Sequence, residues 1–196
     1  MSGNHPGLSN TFQSAGSKFE WSKDNEREVK KIISKYPKER IQSAVMPLLY
    51  LAQEQNENWI SIECIETIAE TLGMPKIRVT EVASFYSMYN SRPIGKNLVQ
   101  ICRTSPCWLR GSDKITKTIC EETKCHINET SKDNLFTVVE VECLGACSNG
   151  PMIQINNDFF EDLDENSTKE IIQNIKNGTP NKIGSQKGRK SSENAQ

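Results

Sequence analysis

The sequence predicts an α/β chain in two parts, an N-terminal helical bundle followed by a domain of mixed strands and helices. Three observations carry this. Apolar residues between 20 and 90 recur at helical spacing. After Pro93 the pattern changes to short β-rich runs separated by a helix. Two close cysteine pairs sit where two of those runs break into loops.

In the first part, residues 22–36 are highly charged with Val29, Ile32 and Ile33 at helical spacing, and Pro37 ends the helix. Residues 39–55 place Ile41, Val45, Leu48, Leu49 and Ala52 on one helical face, with Pro47 predicted to kink it. Ser61 reads as an N-cap before Ile62, Ile65, Ile68 and Ala69, and Gly73 as the stop. Pro75 suits the first turn of a fourth helix carrying Ile77, Val79, Val82, Phe85 and Tyr86.

In the second part, residues 98–102 (LVQIC) read as a strand, 112–124 as a helix with Ile115 and Ile119 inward, and 136–141 (FTVVEV) as a strand. Residues 152–155 and 159–161 form a hairpin about Asn156-Asn157. Ser167 and Glu170 form a capping box that opens a final helix ending at Gly178 and Pro180. Strand-helix-strand favours a parallel pair and the hairpin adds antiparallel strands, which is a thioredoxin-like α/β layout. The expected boundaries are a flexible N-terminus at 1–20, the helical bundle at 21–92, the α/β domain at 93–180 and a flexible basic tail at 181–196.

The chain has 196 residues, room for one ordinary domain or two small ones. Its apolar fraction is 35% and its mean hydropathy is -0.60, lean values to which both polar ends contribute. A net charge of -1 provides no field for nucleic acid or an anionic membrane, and the four tail cations Lys182, Lys187, Arg189 and Lys190 come without aromatics. No apolar run approaches the ~18 residues of a membrane span. The first 17 residues contain no Lys, Arg, Asp or Glu and lack both a secretory apolar core and presequence arginines. The expectation is a cytoplasmic bacterial protein in a reducing compartment. Seven cysteines, an odd number, argue against a closed disulfide framework.

Four of the seven carry chemistry. Cys102-x4-Cys107 and Cys143-x3-Cys147 both lie at strand exits, where two thiol pairs can meet at one point. Four thiolates at one point hold either a structural zinc or a [2Fe–2S] cluster, and C-x4-C recurs among the latter. A Rieske centre needs two histidine ligands, and only His5 and His126 are present. Thr104 and Ser105 offer hydroxyl and N–H donors for sulfur, and Pro106 stiffens the first loop. Gly145 permits a turn in the second, and Ser148-Asn149-Gly150-Pro151 closes it. Cys107, just ahead of a predicted helix, is placed to favour thiolate. Arg103 and Arg110 stand ready to offset charge or dock a partner. Trp108 and Leu109 stand ready to shield the site from water. Cys120, Cys125 and Cys64 read as packing residues. The chain has no G-x-G-x-x-G fingerprint, no Walker A loop and no acid–base constellation.

The stretches ICRTSPCWLRGS (101–112), VECLGACSNGPMIQIN (141–156) and FFEDL (159–163) closely resemble the E subunits of NADH:quinone oxidoreductase, the [2Fe–2S] subunit family of the peripheral arm of respiratory complex I. LLYLAQEQNENWIS (48–61), MPKIRVTEVASFYSMY (74–89) and IGSQKGR (183–189) extend the resemblance over roughly residues 18–190. It departs at Phe159-Phe160, where the family often has two tyrosines. The resemblance implies a thioredoxin-like [2Fe–2S] ferredoxin domain with one cluster on Cys102, Cys107, Cys143 and Cys147. It implies a flavin subunit as partner, which binds the FMN and NADH that this chain does not, and a further iron–sulfur subunit of the same arm. It implies no nucleic acid and no membrane insertion. The equivalent subunit of an NAD-linked formate dehydrogenase or hydrogenase, or a free thioredoxin-like ferredoxin, are the alternatives.

Overall fold

In the computed structural model the described residues are 11–190, and the chain divides between Ile94 and Gly95 into two compact units. Of the flexible ends expected at 1–20 and 181–196, residues 1–10 and 191–196 lie outside the described residues.

The first unit is helical. Helix α1 (Lys23–Ile33) is capped by Ser22, whose hydroxyl accepts the Asn25 N–H. Asp24 and Glu26 in its first turn and Lys30 and Lys31 in its last complement the helix dipole. Residues 38–44 are a 3-10 segment rather than the start of one long helix, and α2 (Val45–Gln55) begins only after it. Pro47 therefore lies in the first turn, where the missing N–H has no helical partner, and no mid-helix kink arises. Leu48, Leu49 and Ala52 of α2 are fully buried. Helix α3 (Ile62–Leu72) has the expected Ser61 cap and ends at Gly73, whose φ of 59° lets the Met74 N–H reach back to the Ala69 carbonyl (3.0 Å). Helix α4 (Lys76–Phe85) buries Val79 and Ala83, an i, i+4 pair; Ile77 and Phe85 fall off that face and stand in solvent. Pro75 is its N-cap, one place ahead of the expected position.

Residues 11–20, expected to be flexible, are instead packed. Phe12 and Phe19 are buried, Thr67 Oγ1 donates to the Phe19 carbonyl (2.8 Å), and Trp21 Nε1 donates to Thr71 Oγ1 (3.3 Å). Glu63 anchors this segment: its carboxylate accepts the Ser14 hydroxyl and the Ala15 N–H (2.9 Å). Burial alone would raise its pKa, but these donors outweigh it and bring the carboxyl down to about 2. A depressed folded-state pKa contributes stability above the unfolded value and loses it as pH falls through the folded one. The wild-type chain should therefore outlast Glu63→Gln in urea at neutral pH. That advantage should begin to shrink below pH 4.5 and vanish at about pH 2. An advantage that stays constant over this whole range would rule out the carboxylate as the anchor.

In the second unit the described residues form a sheet ordered β2-β3-β1-β4-β5-β6. Its strands are β1 (Asn97–Cys102), β2 (Glu129–Thr130), β3 (Phe136–Val141), β4 (Ile153–Ile155), β5 (Asp158–Glu161) and β6 (Gly184–Ser185). Strands β1 and β3 are parallel, Asn97 opposite Phe136 through Cys102 opposite Val141. Strand β4 runs antiparallel to β1 and pairs with β5 as the expected hairpin, with Asn156 at φ 53° in the turn. The helices are α5 (Ser105–Leu109), α6 (Ser112–Thr123) and α7 (Glu165–Asn177). Ile115 and Ile119 of α6 and Ile171 and Ile172 of α7 form one core with Val99, Ile101, Phe136, Val138, Ile153, Ile155 and Phe160 of the sheet.

Three elements are additions to the sequence reading: β2, α5 and β6, of two, five and two residues. The capping box at α7 is shifted: Asp164 is the N-cap and Ser167 its third helical residue, each side chain taking the other's backbone N–H. The helix starts earlier than expected because the carboxylate of Asp164 is the cap. The tail also differs: residues 184–189 are held, with β6 paired to β5 and the Gln186 N–H bonded to the Glu161 carbonyl (2.9 Å).

Candidate functional site

The parallel register decides where the cysteines go. Cys102 closes β1 directly opposite Val141, which closes β3, and the Arg103 N–H extends the ladder to the Val141 carbonyl (3.1 Å). Both cysteine loops therefore leave the same end of the sheet from adjacent strands, the end at which α/β proteins commonly bind ligands. Strand alternation sends Ile101 into the helix-covered core and Cys102 to the opposite face. There Cys102, Cys107 and Met152 form a small buried cluster with Leu144, Ala146 and Phe159.

The first loop is wound tighter than its sequence suggests. Cys107 does not precede a helix; it is the third residue of α5, with Pro106 in the first turn and the Trp108 N–H bonded to the Thr104 carbonyl (3.0 Å). One helical step turns the chain by about 100°, so Cys107 points inward, 1% exposed, while Trp108 and Leu109 point out, 54% and 75% exposed. Arg103 is engaged, ion-paired to Asp113 (3.1 Å) and to Glu140.

In the second loop Gly145 has φ +94°, a left-handed conformation costly to any residue with a Cβ. Cys147 opens a single 3-10 turn to Asn149. Gly150 then passes so close to the first loop that a Cβ on it would lie 3.2 Å from Cys107 Sγ. The sequence marks Gly150 as a turn residue; that it is also a contact between the loops is visible only in three dimensions.

Cys143 Sγ is 3.3 Å from Cys147 Sγ, and Cys102 Sγ is 3.4 Å from Thr104 Oγ1. Burial raises the Cys102 pKa, but the Thr104 hydroxyl and the Leu144 and Thr104 N–H groups outweigh it, and the net shift is down. Cys107 is pushed up to about 12 by burial and by the neighbouring Cys102 sulfur, against the Met152 N–H. The expected helix-end stabilisation of a Cys107 thiolate is overridden by this burial. Cys143 is lowered by its bond to Cys147, the Gly145 N–H and the Thr104 hydroxyl, and Cys147 is raised by the same bond to Cys143 and by burial. Each pair thus holds one sulfur toward thiolate and one toward thiol. Among the described residues no three His, Cys, Asp or Glu side chains stand as the ligand set of a single ion.

The other cysteines lie elsewhere. Cys125 is in the sheet–helix core and donates to the Glu129 carbonyl (2.8 Å), Cys64 is in the core of the helical unit, and Cys120 is half-buried on α6. Burial raises the pKa of all three, so they are kept as thiols.

The sheet and its loops define a class: a thioredoxin-type α/β unit that presents two cysteine pairs at the ends of adjacent parallel strands. Residues 29–176 match the profile of the thioredoxin-like [2Fe-2S] ferredoxin family, and the chain belongs to that family, among relatives named as subunits of NADH dehydrogenases. It is 49% identical over 178 residues to NADH dehydrogenase [ubiquinone] flavoprotein 2, mitochondrial, of Dictyostelium discoideum, covering 91% of this chain and 72% of the relative. It is 48% identical over 159 residues to the E subunit of the NADH-quinone oxidoreductase of Rickettsia bellii, covering 81% of this chain and 95% of that one. In the crystal structure of an NAD+-reducing [NiFe]-hydrogenase in the air-oxidized state, 23% of one chain superposes on 68% of this one with a TM-score of 0.59. At 17% sequence identity that likeness is one of fold.

Proposed function

We propose that this chain is the one-electron carrier of an NADH-oxidising module. It would hold one [2Fe–2S] cluster on Cys102, Cys107, Cys143 and Cys147 and take electrons from the FMN of a partner flavin subunit. The observation that supports the reading is that two cysteine loops leave the same end of the sheet from the adjacent parallel strands β1 and β3 in a chain of this family. The donor set fits. A [2Fe–2S] cluster takes two thiolates on each iron, and two thiol pairs supply them. The N–H groups of Thr104, Leu144, Gly145 and Met152 favour the ionised form of the cysteine sulfurs. Such donors favour the added negative charge of a reduced cluster.

When bound, the cluster supplies reversible one-electron chemistry with no proton needed at the metal. The chain's own part is to hold four sulfurs, to bury Cys102 and Cys107 from water, and to leave Cys143 at the surface. The exposed Cys143 is the natural side from which a flavin would be approached. NADH and FMN belong to the flavin subunit, and a further iron–sulfur subunit of the same arm completes the surroundings. The relatives are named as subunits of NADH dehydrogenases, and no described helix is long and apolar enough to cross a membrane. The chain would work on the aqueous face where NADH is oxidised, the cytoplasm in a bacterium.

The test is an anaerobic visible and EPR spectrum of the purified chain before and after dithionite, with iron and zinc assayed. A brown protein with two irons per chain and an S = 1/2 signal only when reduced is expected. A colourless protein with one zinc, and no signal after anaerobic iron–sulfur reconstitution, would overturn the reading.

A further inference from the structure

Behind the second cysteine loop lies a charged contact that the electron-carrying reading does not use. Asp162 follows β5 with φ 56°, a left-handed conformation uncommon outside glycine, and its carboxylate is fully buried. A buried carboxylate is costly unless it is paired. Its partner comes from the far end of the chain. Arg189 donates through Nε (2.9 Å) and Nη2 to Asp162 Oδ1, and the same Nη2 donates to the Ser148 carbonyl (2.8 Å). Ser185 Oγ donates to Asp162 Oδ2 (2.6 Å), and it also accepts the Arg189 N–H (2.9 Å). Burial would raise the Asp162 pKa, but the Arg189 and Ser185 bonds hold it below the usual carboxylate range.

Ser148 is the residue after Cys147. The loop is held on its other side as well: the Asp162 N–H bonds the Asn149 carbonyl (2.7 Å), Asn149 Nδ2 donates to Glu161 (2.8 Å), and the Leu163 N–H reaches the Pro151 carbonyl (3.1 Å). The C-terminal segment 184–189 thus reaches the back of the cysteine loop through a single guanidinium. The fork geometry is what makes this work. Nε and Nη2 take the carboxylate while Nη2 is shared with a carbonyl, an arrangement that lysine, with one nitrogen, cannot reproduce.

We propose that Arg189, seated on Asp162, is a positioning residue for Cys147: the C-terminal strap clamps the second ligand loop and sets how firmly the cluster is kept. This rests on the cluster reading above. Losing the clamp leaves the Asp162 carboxylate buried without its countercharge and frees the Ser148 carbonyl, so the loop carrying Cys147 loosens from behind. Outer-shell partners of metal ligands typically affect affinity by about 10–100-fold.

The experiment uses the full chain, wild type, Arg189→Lys, Arg189→Gln and the double variant Asp162→Asn/Arg189→Gln. Each is reconstituted anaerobically. Loss of the visible cluster band to an iron chelator is timed, the reduced EPR spectrum recorded, and the fold checked by far-UV circular dichroism. Arg189→Gln should fold and lose its cluster roughly 10-fold faster or more, with altered g-values. Arg189→Lys should also be faster than wild type although its charge is kept. The double variant should recover much of the wild-type lifetime, because the neutral amide that replaces the Asp162 carboxylate no longer buries a charge. If Arg189→Gln does not fold, Arg189→Lys and the double variant decide the matter. Wild-type lifetime and spectrum in Arg189→Lys and in every folded neutral variant would overturn the clamp and leave the cluster reading standing. Failure of the wild type itself to assemble a cluster would overturn both.

Discussion

Replacing Cys102 with alanine should abolish the reduced EPR signal, and so should alanine at Cys107, Cys143 or Cys147. Alanine at Cys64, Cys120 or Cys125 should leave the signal intact. Alanine is the informative substitution because a serine oxygen can still reach iron, whereas a methyl group leaves it a ligand short. The expected loss of bound iron is greatest at Cys102, where three effects coincide. Its sulfur is held toward thiolate by the Thr104 hydroxyl and by two backbone N–H groups. It is buried on the open face of β1, so the deletion leaves a small cavity against Met152 that water cannot easily fill. And its strand position is fixed on both sides, by its place opposite Val141 and by its own N–H bond to the Met152 carbonyl (3.4 Å), so no neighbouring thiol can shift into its place. The other three cysteines offer a built-in control. Cys120 and Cys125 repeat the x4 spacing of the first ligand pair, yet one lies on α6 and the other faces a carbonyl in the core. Undiminished signal in Cys102→Ala with two irons per chain, or loss of signal in Cys120→Ala, would show that the ligand set is wrongly chosen. Iron assay and EPR on the seven single variants make the comparison.

What can be read from the sequence follows from what is local. Ser61, Gly73 and Gly178 announce helix ends because a cap is made by one residue and its immediate neighbours. Strands 98–102 and 136–141 are legible because apolar, β-branched runs broken by turn residues need no partner to be recognised. The cysteine loops stand out for the same reason, as spaced pairs at strand exits. The features that escape depend on distant residues. Strand β6 has two residues and no pattern of its own; it exists because β5 presents a free edge and Arg189 has a buried carboxylate to reach. Phe12 and Phe19 sit in a Ser- and Gly-rich stretch that reads as loose, but the groove that takes them is made by helices further along the chain. Pro47 looks like a kink because its place within a helix cannot be known until the helix start is known. Asp162 and Arg189 lie 27 residues apart, and neither is unusual alone.

The same dependence on distant neighbours makes Gly95 the most sensitive glycine in the second unit. It lies two residues before β1, and a Cβ built on it would lie 2.6 Å from the carbonyl carbon of Phe136, with the Phe136 oxygen and nitrogen at 2.8 and 2.9 Å. These are backbone atoms at the first residue of β3, so no side chain can swing aside. The Gly95 N–H also donates to Thr137 Oγ1 (2.6 Å), a bond that any displacement would stretch. Forcing a methyl group into such a space costs typically ~1–3 kcal/mol, and more where the neighbour cannot yield. Gly95→Ala should therefore lower the stability of the second unit to urea by at least that amount, with Thr137→Val, which replaces the hydroxyl that bonds Gly95 and Thr130 by a methyl group, falling between it and wild type. The consequence reaches the cysteines. Asn97 faces Phe136 at one end of the β1–β3 ladder, and Cys102 faces Val141 at the other. Prising the ladder open at its start disturbs the pairing that brings Cys102 and Cys143 out at the same end. Cluster assembly in Gly95→Ala should fall with stability, and lowering the temperature should recover both together. If Gly95→Ala keeps the wild-type urea midpoint, the close approach to Phe136 is not a constraint on the fold. If it loses stability yet assembles its cluster at the wild-type rate and yield, the β1–β3 register is not what brings the thiols together.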